Sequence, residues 1–171
     1  MVGQKTGFGG RIIPALRYRD GAAAIDWLCT VFGFARKMVV PAEGGKIAHA
    51  ELTLDNGMVM LGDVETEYGR LVAAPEKGAP VTQGIYVVVD DVDAHYARAR
   101  QAGAEIVIDI KTQDYGGRDY TARDLEGHVW TFGTYDPWVG GQLMQDQFEH
   151  AFQIVIHLAV PNPKNAKSTL R

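Results

Sequence analysis

The chain has 171 residues, and its 17 lysine and arginine residues against 21 aspartate and glutamate residues give a formal net charge of −4. Nucleic-acid-binding domains normally carry a basic surface, and no apolar run approaches the roughly 20 residues of a membrane-spanning helix. We therefore expect the protein to bind neither nucleic acid nor a membrane. The single cysteine, Cys29, cannot form an internal disulfide. We therefore expect a cytoplasmic protein with one domain, or with two small modules that share a core.

Residues 1–10 are predicted to be a flexible leader. They contain the run Gly7-Phe8-Gly9-Gly10, for which a phosphate-binding loop is the alternative interpretation. This run precedes a predicted strand, however, whereas the dinucleotide-binding fingerprint follows a strand and opens a helix.

Two segments of the chain repeat one pattern, in which a short β-rich run leads to an aspartate, a helical stretch and a glycine. Thirteen positions separate Asp20 from Gly33 in the first segment and Asp90 from Gly103 in the second. An aspartate side chain accepts hydrogen bonds from the first turn of a helix, and a glycine takes the left-handed conformation that ends one. The spacing predicts two copies of one unit, over residues 15–35 and 85–105.

Three predicted strands follow each helix. The first copy has runs at residues 36–40, 46–55 and 58–61, and the hairpin signal Asn56-Gly57 separates the last two. The second copy has corresponding runs at residues 106–110, 118–124 and 128–134, so both halves read β-α-β-β-β. The predicted organisation is a leader (1–10), a first module (11–63), an irregular crossover (64–82), a second module (83–138) and a C-terminal extension (139–171).

Four stretches of sequence carry a resemblance to a known family. They are IIPALRYRD and AIDWLCTVFGF in the first module, and GIYVVVDDVDAHYARARQAGAEI and YGGRDYTARDLEGHVWTFGTYDPW in the second. Over residues 12–138 the chain resembles the vicinal oxygen chelate superfamily, and within it the glyoxalase and bleomycin-resistance-like subset. The resemblance implies an α+β fold in which two tandem βαβββ modules form curved half-barrel sheets around a cavity. It also implies a homodimer with pockets at the joint between two chains.

Metal-dependent members of that superfamily take ligands from the first and last strand of each module. The resemblance places the four positions at Ile13, Leu61, Gly84 and Thr131. None of these residues has a donor suited to a divalent cation, so we expect neither a metal nor another cofactor. Two nearby residues are further candidates for metal ligands. Glu51 resembles a glutamate of the first module of glyoxalase I but lies on the strand before the hairpin turn instead of after it, and Gln83 is aimed at the opposite face from its neighbour Gly84. A shift of one residue would restore either of them but not the whole ligand set.

Five residues are predicted to bind a small-molecule ligand: Arg17, His49, Glu51, Tyr86 and Thr131. Arg17 shares strand parity with Ile13, so we expect it to point into the cavity, and it matches an arginine in a similar stretch of glyoxalase I. A guanidinium there would clamp a carboxylate, phosphate or sulfate group. The alternative is an edge arginine that bonds a neighbouring carboxylate.

The strand at residues 47–54 alternates between an apolar face, suited to packing against a helix, and a face that carries His49 and Glu51. These two side chains are expected toward the cavity or solvent, where they would orient a ligand or act as a general acid–base pair. The alternative is a solvated or mutually paired couple. Tyr86 and Thr131 are expected to line the second half of the cavity, with Asp119 and Thr121 as further candidates.

Other aromatic and histidine residues are given structural roles. Trp27, Trp130 and Phe132 are interpreted as core or subunit-interface aromatics, and His95 and His128 as surface residues.

The leading hypothesis is a metal-free small-molecule-binding protein of the glyoxalase/bleomycin-resistance type, which sequesters an aromatic or antibiotic-like ligand in a cavity. The main alternative is a metal-dependent enzyme of the same superfamily (a lyase, isomerase or dioxygenase) whose ligands lie one residue away from the positions assigned above. An acid–base enzyme that uses His49 and Glu51 is a further alternative. A third class is an interaction module in which residues 137–171 dock a partner.

Overall fold

The computed structural model describes residues 12–114 and 116–138 of the chain. The predicted leader and the C-terminal extension at 139–171 lie outside these residues. The strands and helices below belong to the compact unit that ends at Thr134. Within the described ranges, no helix combines the length and the apolar character needed to cross a membrane.

The first module is a four-stranded sheet with a helix against one face. Its elements are β1 (Ala15–Tyr18), α1 (Gly21–Trp27), β2 (Ala35–Pro41), β3 (Ile47–Leu54) and β4 (Gly57–Asp63). The strand order is β1-β4-β3-β2, with β1 parallel to β4 and the other pairs antiparallel. Helix α1 continues into a π-helical turn, Leu28–Phe32.

The second module repeats this topology. Its elements are β5 (Gly84–Val88), α2 (Val92–Gln101), β6 (Glu105–Thr112), β7 (Arg118–Arg123) and β8 (Val129–Gly133). The strand order is β5-β8-β7-β6, and the parallel pair is again the first strand with the last. The predicted α+β fold of two βαβββ modules is therefore confirmed, and each module forms its own open sheet of four strands.

The two helices begin with an aspartate cap, but not at matching distances from their terminal glycines. Asp20 accepts a hydrogen bond from the Ala23 N–H at 2.9 Å, as expected. In α2 the cap is Asp91, which accepts from the Ala94 N–H at 2.9 Å. The prediction of Asp90 as the cap is therefore wrong by one residue, because only the side chain three positions before the free N–H reaches it.

One aromatic cluster joins the helix sides of both sheets. The ring of Phe32 lies 4.6 Å from the ring of Phe132, 5.7 Å from that of Trp130 and 4.8 Å from that of Trp27. Trp130 and Phe132 are fully buried, and Trp27 packs against the core. The core role predicted for these aromatics agrees with this arrangement, and the cluster links the last turn of the first helical segment to the second sheet.

His95 belongs to the same interior, so its predicted surface position is wrong. Together with Val92 and Ala99 it forms the buried side of α2. Its Nε2 donates to the Phe32 carbonyl oxygen at 3.0 Å, which leaves Nδ1 to accept from the Tyr120 hydroxyl at 2.7 Å. Burial lowers the pKa of His95 to about 4, so the ring is neutral near pH 7.

His128 is also less exposed than a surface position predicts. It is half-buried, its ring lies 4.7 Å from that of Tyr18, and its Nε2 donates to the Arg17 carbonyl oxygen at 3.0 Å. The residue therefore connects the β7–β8 hairpin of the second module to β1 of the first.

A buried carboxylate strengthens that connection. Asp124 is 4% exposed and accepts hydrogen bonds from the Tyr18 hydroxyl at 2.6 Å and from Trp130 Nε1 at 3.0 Å. Its other oxygen accepts from three consecutive backbone N–H groups of the hairpin. Burial and the neighbouring carboxylate raise the pKa of Tyr18 well above its usual range, so the phenol stays a proton donor.

Candidate functional site

Each sheet has one face against the helices and an opposite face, called here the open face. On β3 the fully buried Ala50 and Leu52 mark the helix side, so the alternating His49 and Glu51 lie on the open face. On β8 the residue between the buried Trp130 and Phe132 is Thr131, which the same argument places on the open face. The predicted ligand-binding residues thus fall into two groups, one on each sheet.

Arg17 belongs to the open face of the first sheet, yet it is only 6% exposed. Its guanidinium carbon lies 4.7 Å from the centre of the Tyr68 ring. Nε and Nη1 are buried and have no hydrogen-bond partner among the described residues. Burial lowers the pKa of the guanidinium, while the charges of Tyr68 and Asp63 act in the opposite sense. No described carboxylate pairs with Arg17, so the edge-arginine alternative finds no partner here.

Space for this guanidinium depends on a glycine. In the parallel β1–β4 pair Arg17 lies beside Gly62. A Cβ at position 62 would lie 2.3 Å from Arg17 Nη1 and 2.8 Å from the Ala48 carbonyl oxygen. A side chain there would displace the guanidinium or the neighbouring strand. Gly62 therefore sets where Arg17 lies.

His49 and Glu51 form part of a charged group with Lys37. Glu51 Oε2 lies 2.9 Å from Lys37 Nζ, and Oε1 lies 3.5 Å from His49 Nε2. The hydrogen bond from Lys37 lowers the pKa of Glu51, and the contact with His49 acts in the same sense. A carboxyl group that is already ionised and paired is a poor match to general acid–base work near neutral pH. His49 and Glu51 therefore correspond to the alternative interpretation given above, a mutually paired couple.

The second group surrounds Tyr86 and Thr131. The two residues are register partners on β5 and β8, and Thr131 Oγ1 lies 3.0 Å from Thr121 Oγ1. A Cβ built on Gly133 would lie 2.4 Å from the Tyr86 hydroxyl and 2.8 Å from Asp119 Cβ, so all these side chains share the open face. Tyr86 is 41% exposed, which leaves its ring accessible.

Three contributors to these groups were not predicted from the sequence. Gln113 donates from Nε2 to Asp119 at 2.7 Å, and Lys37 reaches Glu51 from β2, where the pairing with β3 shifts register between Arg36 and Met38. A register irregularity in an exposed strand has no reliable sequence signal.

The third contributor, Tyr68, lies in the crossover, where a short 3₁₀ turn spans Tyr68–Arg70. The crossover is rich in glycine, proline and glutamate and shows no apolar periodicity, so the sequence contained no indication of where the Tyr68 side chain would lie. An open surface depression beside this turn is lined by crossover residues: Val64, Glu65, Thr66, Glu67 and Arg70. None of the five predicted binding residues lines that depression.

The family described as Glyoxalase/Bleomycin resistance protein/Dioxygenase superfamily matches residues 12–132, which is most of the chain and includes both open faces. The chain belongs to this superfamily. The expectation drawn from the sequence resemblance is thereby confirmed at the level of family and fold.

Similar proteins from this superfamily and its neighbours include both close and distant relatives. TioX from Micromonospora sp. ML1 has 38% sequence identity, with 73% of this chain and 98% of that chain covered and a TM-score of 0.60. The Mycobacterium tuberculosis protein Rv0887c is 37% identical over 123 residues, which are 70% of this chain and 71% of the relative. A family enzyme from Burkholderia phytofirmans PsJN, at 18% identity, 70% and 93% coverage and a TM-score of 0.56, supports the fold alone.

The superfamily's metal-ligand positions require one correction in this chain. Leu61 pairs with Ala50 and is fully buried on the helix side, whereas Met60 pairs with Glu51 on the open face. The position predicted at Leu61 is therefore wrong by one residue. The β3–β4 turn is shorter than the β7–β8 turn, so counting four residues from the hairpin glycine reaches opposite faces in the two modules.

After this correction the four positions are Ile13, Met60, Gly84 and Thr131. Aliphatic, thioether, glycine and threonine side chains do not form a ligand set for a divalent cation of the kind that imidazole and carboxylate groups bind. Among residues 12–114 and 116–138, no three His, Cys, Asp or Glu side chains converge on a point. The described residues at these positions do not fit a metal ion.

Proposed function

We propose that this protein is a metal-independent, cytoplasmic binding protein that sequesters a small, partly aromatic molecule, such as an antibiotic-like compound, on the open faces of its sheets. The observation that carries the proposal is the composition of the four metal-ligand positions, which hold Ile13, Met60, Gly84 and Thr131. The same faces keep polar groups and the accessible aromatic ring of Tyr86. An apolar lining with a few polar anchors is the usual composition of a small-molecule site.

Ligand binding is expected to raise the melting temperature of dialysed protein in a saturable way. A ligand at 100-fold its Kd stabilises the native state by about 2.7 kcal/mol. The measurement is a thermal-denaturation screen of the full chain against aromatic antibiotics and metabolites, with and without a chelator. A saturable shift that the chelator does not change supports the proposal.

Two variants make this screen specific. Tyr86→Ala removes the accessible open-face ring and is expected to reduce the shift produced by a hit. Tyr96→Ala removes a tyrosine of α2, on the helix side, and is expected to leave the shift intact. If no compound gives a saturable shift, or if the protein as purified holds stoichiometric metal that His49→Ala removes, the metal-dependent enzyme displaces this proposal.

The proposal includes a second copy of the chain that covers the open faces. Each face exposes large apolar side chains: Met38 and Val40 on the first sheet, and Tyr86, Val88 and Ile108 on the second, each between 40% and 48% exposed. Exposed apolar patches of this kind mark interaction surfaces. Because each chain carries one face of each type, pairing the first face of one copy with the second face of its partner forms two identical contacts and closes a dimer.

We expect the wild-type chain to be dimeric in solution and Val88→Asp to be monomeric, because the substitution buries an unpaired charge at the joint. Ala97→Asp introduces the same group on the exposed surface of α2 and is expected to remain dimeric. Light scattering coupled to size-exclusion chromatography gives the masses. A monomeric wild-type protein at micromolar concentration contradicts the dimer.

A further inference from the structure

Arg123 is the last residue of β7 and lies on the open face of the second sheet. Tyr120 and Ala122 are fully buried on the helix side, so the alternation of the strand directs Arg123 to the opposite face. The residue is half-buried, and its buried Nε has no hydrogen-bond partner among the described residues. Buried donors without acceptors are costly and are rare in folded proteins. The guanidinium therefore has a donor for a group that comes from outside the fold.

The carboxylates closest to Arg123 in sequence and in register do not pair with it. Asp124 is buried on the helix side and accepts hydrogen bonds there. Glu126 accepts from the two backbone N–H groups that precede α1, at 2.8 to 2.9 Å. Glu105 is the register partner on β6, but it is exposed, and in the described part of the chain no ion pair joins it to Arg123. The positive charge is therefore not neutralised by these neighbours.

The surface around Arg123 combines apolar area with open space. Two adjacent rows of register partners cross β7, β8 and β5 on this face: Arg123, Val129 and Gly84 in one row, and Thr121, Thr131 and Tyr86 in the other. Val129 and the accessible Tyr86 ring supply the apolar area. A Cβ added at Gly84 would meet no atom closer than 3.7 Å, so the space above this end of the sheet is open. A planar ring system fits on such a surface.

The two threonines of the second row supply a further donor. Thr121 Oγ1 and Thr131 Oγ1 lie 3.0 Å apart and share one hydrogen bond. That bond uses one hydroxyl proton, so the other hydroxyl can donate its proton to an acceptor outside the pair. Residues two positions apart on a strand are about 7 Å apart on the same face, a distance that an arginine side chain spans. The Arg123 guanidinium and a threonine hydroxyl can therefore bind the same oxyanion.

We propose that the second sheet binds an aromatic carboxylate, with its ring system on Val129 and Tyr86 and its carboxylate on Arg123 and the threonine pair. The inference rests on the proposed function, to which it adds the class of ligand and the sheet that holds the charged group. A guanidinium binds a carboxylate through two parallel hydrogen bonds. The bound carboxylate gives Nε the acceptor that it lacks among the described residues.

The test compares two probes of nearly the same shape, 1-naphthoate and 1-naphthamide, which differ in charge at neutral pH. Isothermal titration calorimetry of the full chain is expected to show about ten-fold tighter binding of naphthoate, as a charge-assisted hydrogen bond provides. Arg123→Gln is expected to abolish that preference and to change the affinity for naphthamide by less than about two-fold.

Two further variants separate this role from general charge effects and from a structural role. Arg118→Gln removes the same charge from the same strand, but on the helix side, where Arg118 pairs with Asp93 at 3.0 Å, and is expected to leave both affinities unchanged. Arg123→Met keeps an apolar side chain and removes the buried donor that has no acceptor. The melting temperature of the unliganded Arg123→Met protein is therefore expected to lie within about 2 °C of wild type or above it, while the preference for naphthoate is lost.

The outcomes distinguish this inference from the proposed function. If naphthamide binds and naphthoate has no advantage, or if Arg118→Gln reduces the preference as much as Arg123→Gln does, the carboxylate site is wrong and the proposed function stands. The same holds if Arg17→Gln abolishes the preference and Arg123→Gln keeps it, because the carboxylate then lies on the first sheet. If Arg123→Gln weakens both probes equally and Arg123→Met lowers the melting temperature, Arg123 is structural. If neither probe binds, the proposed function fails for ring systems of this size, and the carboxylate site fails with it.

Discussion

Replacing Asp124 by alanine is expected to lower the free energy of unfolding by about 3 to 5 kcal/mol. The carboxylate is 4% exposed and accepts five hydrogen bonds, from the Tyr18 hydroxyl, Trp130 Nε1 and three backbone N–H groups between 2.9 and 3.1 Å. Alanine leaves the two buried side-chain donors without an acceptor, at about 1–3 kcal/mol each, and releases the hairpin that connects the modules. Urea denaturation followed by circular dichroism measures the change.

Two matched variants calibrate this result. Asp26→Ala removes a carboxylate from the exposed side of α1, where its partner Arg36 is also exposed, and is expected to change stability by less than about 0.5 kcal/mol. Tyr18→Phe removes one donor and leaves the acceptor with four others, so about 1 kcal/mol is expected. An Asp124→Ala protein within 1 kcal/mol of wild type would contradict the assigned role, by the same scale.

Acidification is expected to destabilise the fold through His95, over the range between pH 6.5 and pH 4. Burial is the main cause that lowers the folded-state pKa of this group to about 4 from an ordinary value of 6.5, with a smaller contribution from Arg98. The unfolded chain therefore binds a proton in a pH range where the native ring remains neutral, so stability falls as the pH falls. The loss from this group reaches about 3 kcal/mol at pH 4 and is nearly absent above pH 7.

His95→Gln tests the assignment, because a neutral amide can bond the Tyr120 hydroxyl and the Phe32 carbonyl oxygen without titrating. The free energy of unfolding of this variant is expected to depend less on pH between 6.5 and 4 than that of wild type. Equal slopes for wild type and His95→Gln would show that other groups cause the acid sensitivity.

The repeated pattern in the sequence predicted the architecture because its signals are local. Asn56-Gly57 predicted the β3–β4 hairpin to within one residue: β3 ends at Leu54 and β4 begins at Gly57, so the two turn residues are Asp55 and Asn56. Asp20 and Gly33 mark the ends of the first helical segment, and Gly33 takes the expected left-handed conformation at φ 81°. Asp20 and Gly33 have conformational preferences that neighbours in space do not alter.

One-residue errors arose where the two modules differ in length. Met60 was missed in favour of Leu61 because the hairpins were assumed to have equal turns, and in a strand a shift of one residue exchanges the two faces. The cap of α2 at Asp91 was missed because two adjacent aspartates compete for one position. His95 was placed on the surface because an apolar stripe does not reveal a buried polar residue whose partners, Phe32 and Tyr120, are distant in sequence.

The candidate site likewise has residues that the sequence predicted and contacts that it did not. Strand parity was enough to select Arg17, His49, Glu51 and Tyr86 for the open faces, because alternation is a property of the strand itself. Thr131 was selected by its position in the family resemblance. Strand parity did not predict that Lys37 would pair with Glu51 or that the Tyr68 ring would contact the Arg17 guanidinium. Both contacts depend on irregular segments, a register shift in β2 and the crossover turn, whose course is set by tertiary packing.

The contacts between Tyr18 and Asp124, and between Phe32 and Phe132, mean that each module supplies part of the other module's core. If one module were removed, the aromatic rings of the remaining module would be exposed to water, and Asp124 would lose its bond to Tyr18. A gene fragment that encodes one module would therefore yield insoluble or unfolded protein. Exchanging a module between related proteins would require that the residues on both sides of these contacts be exchanged together.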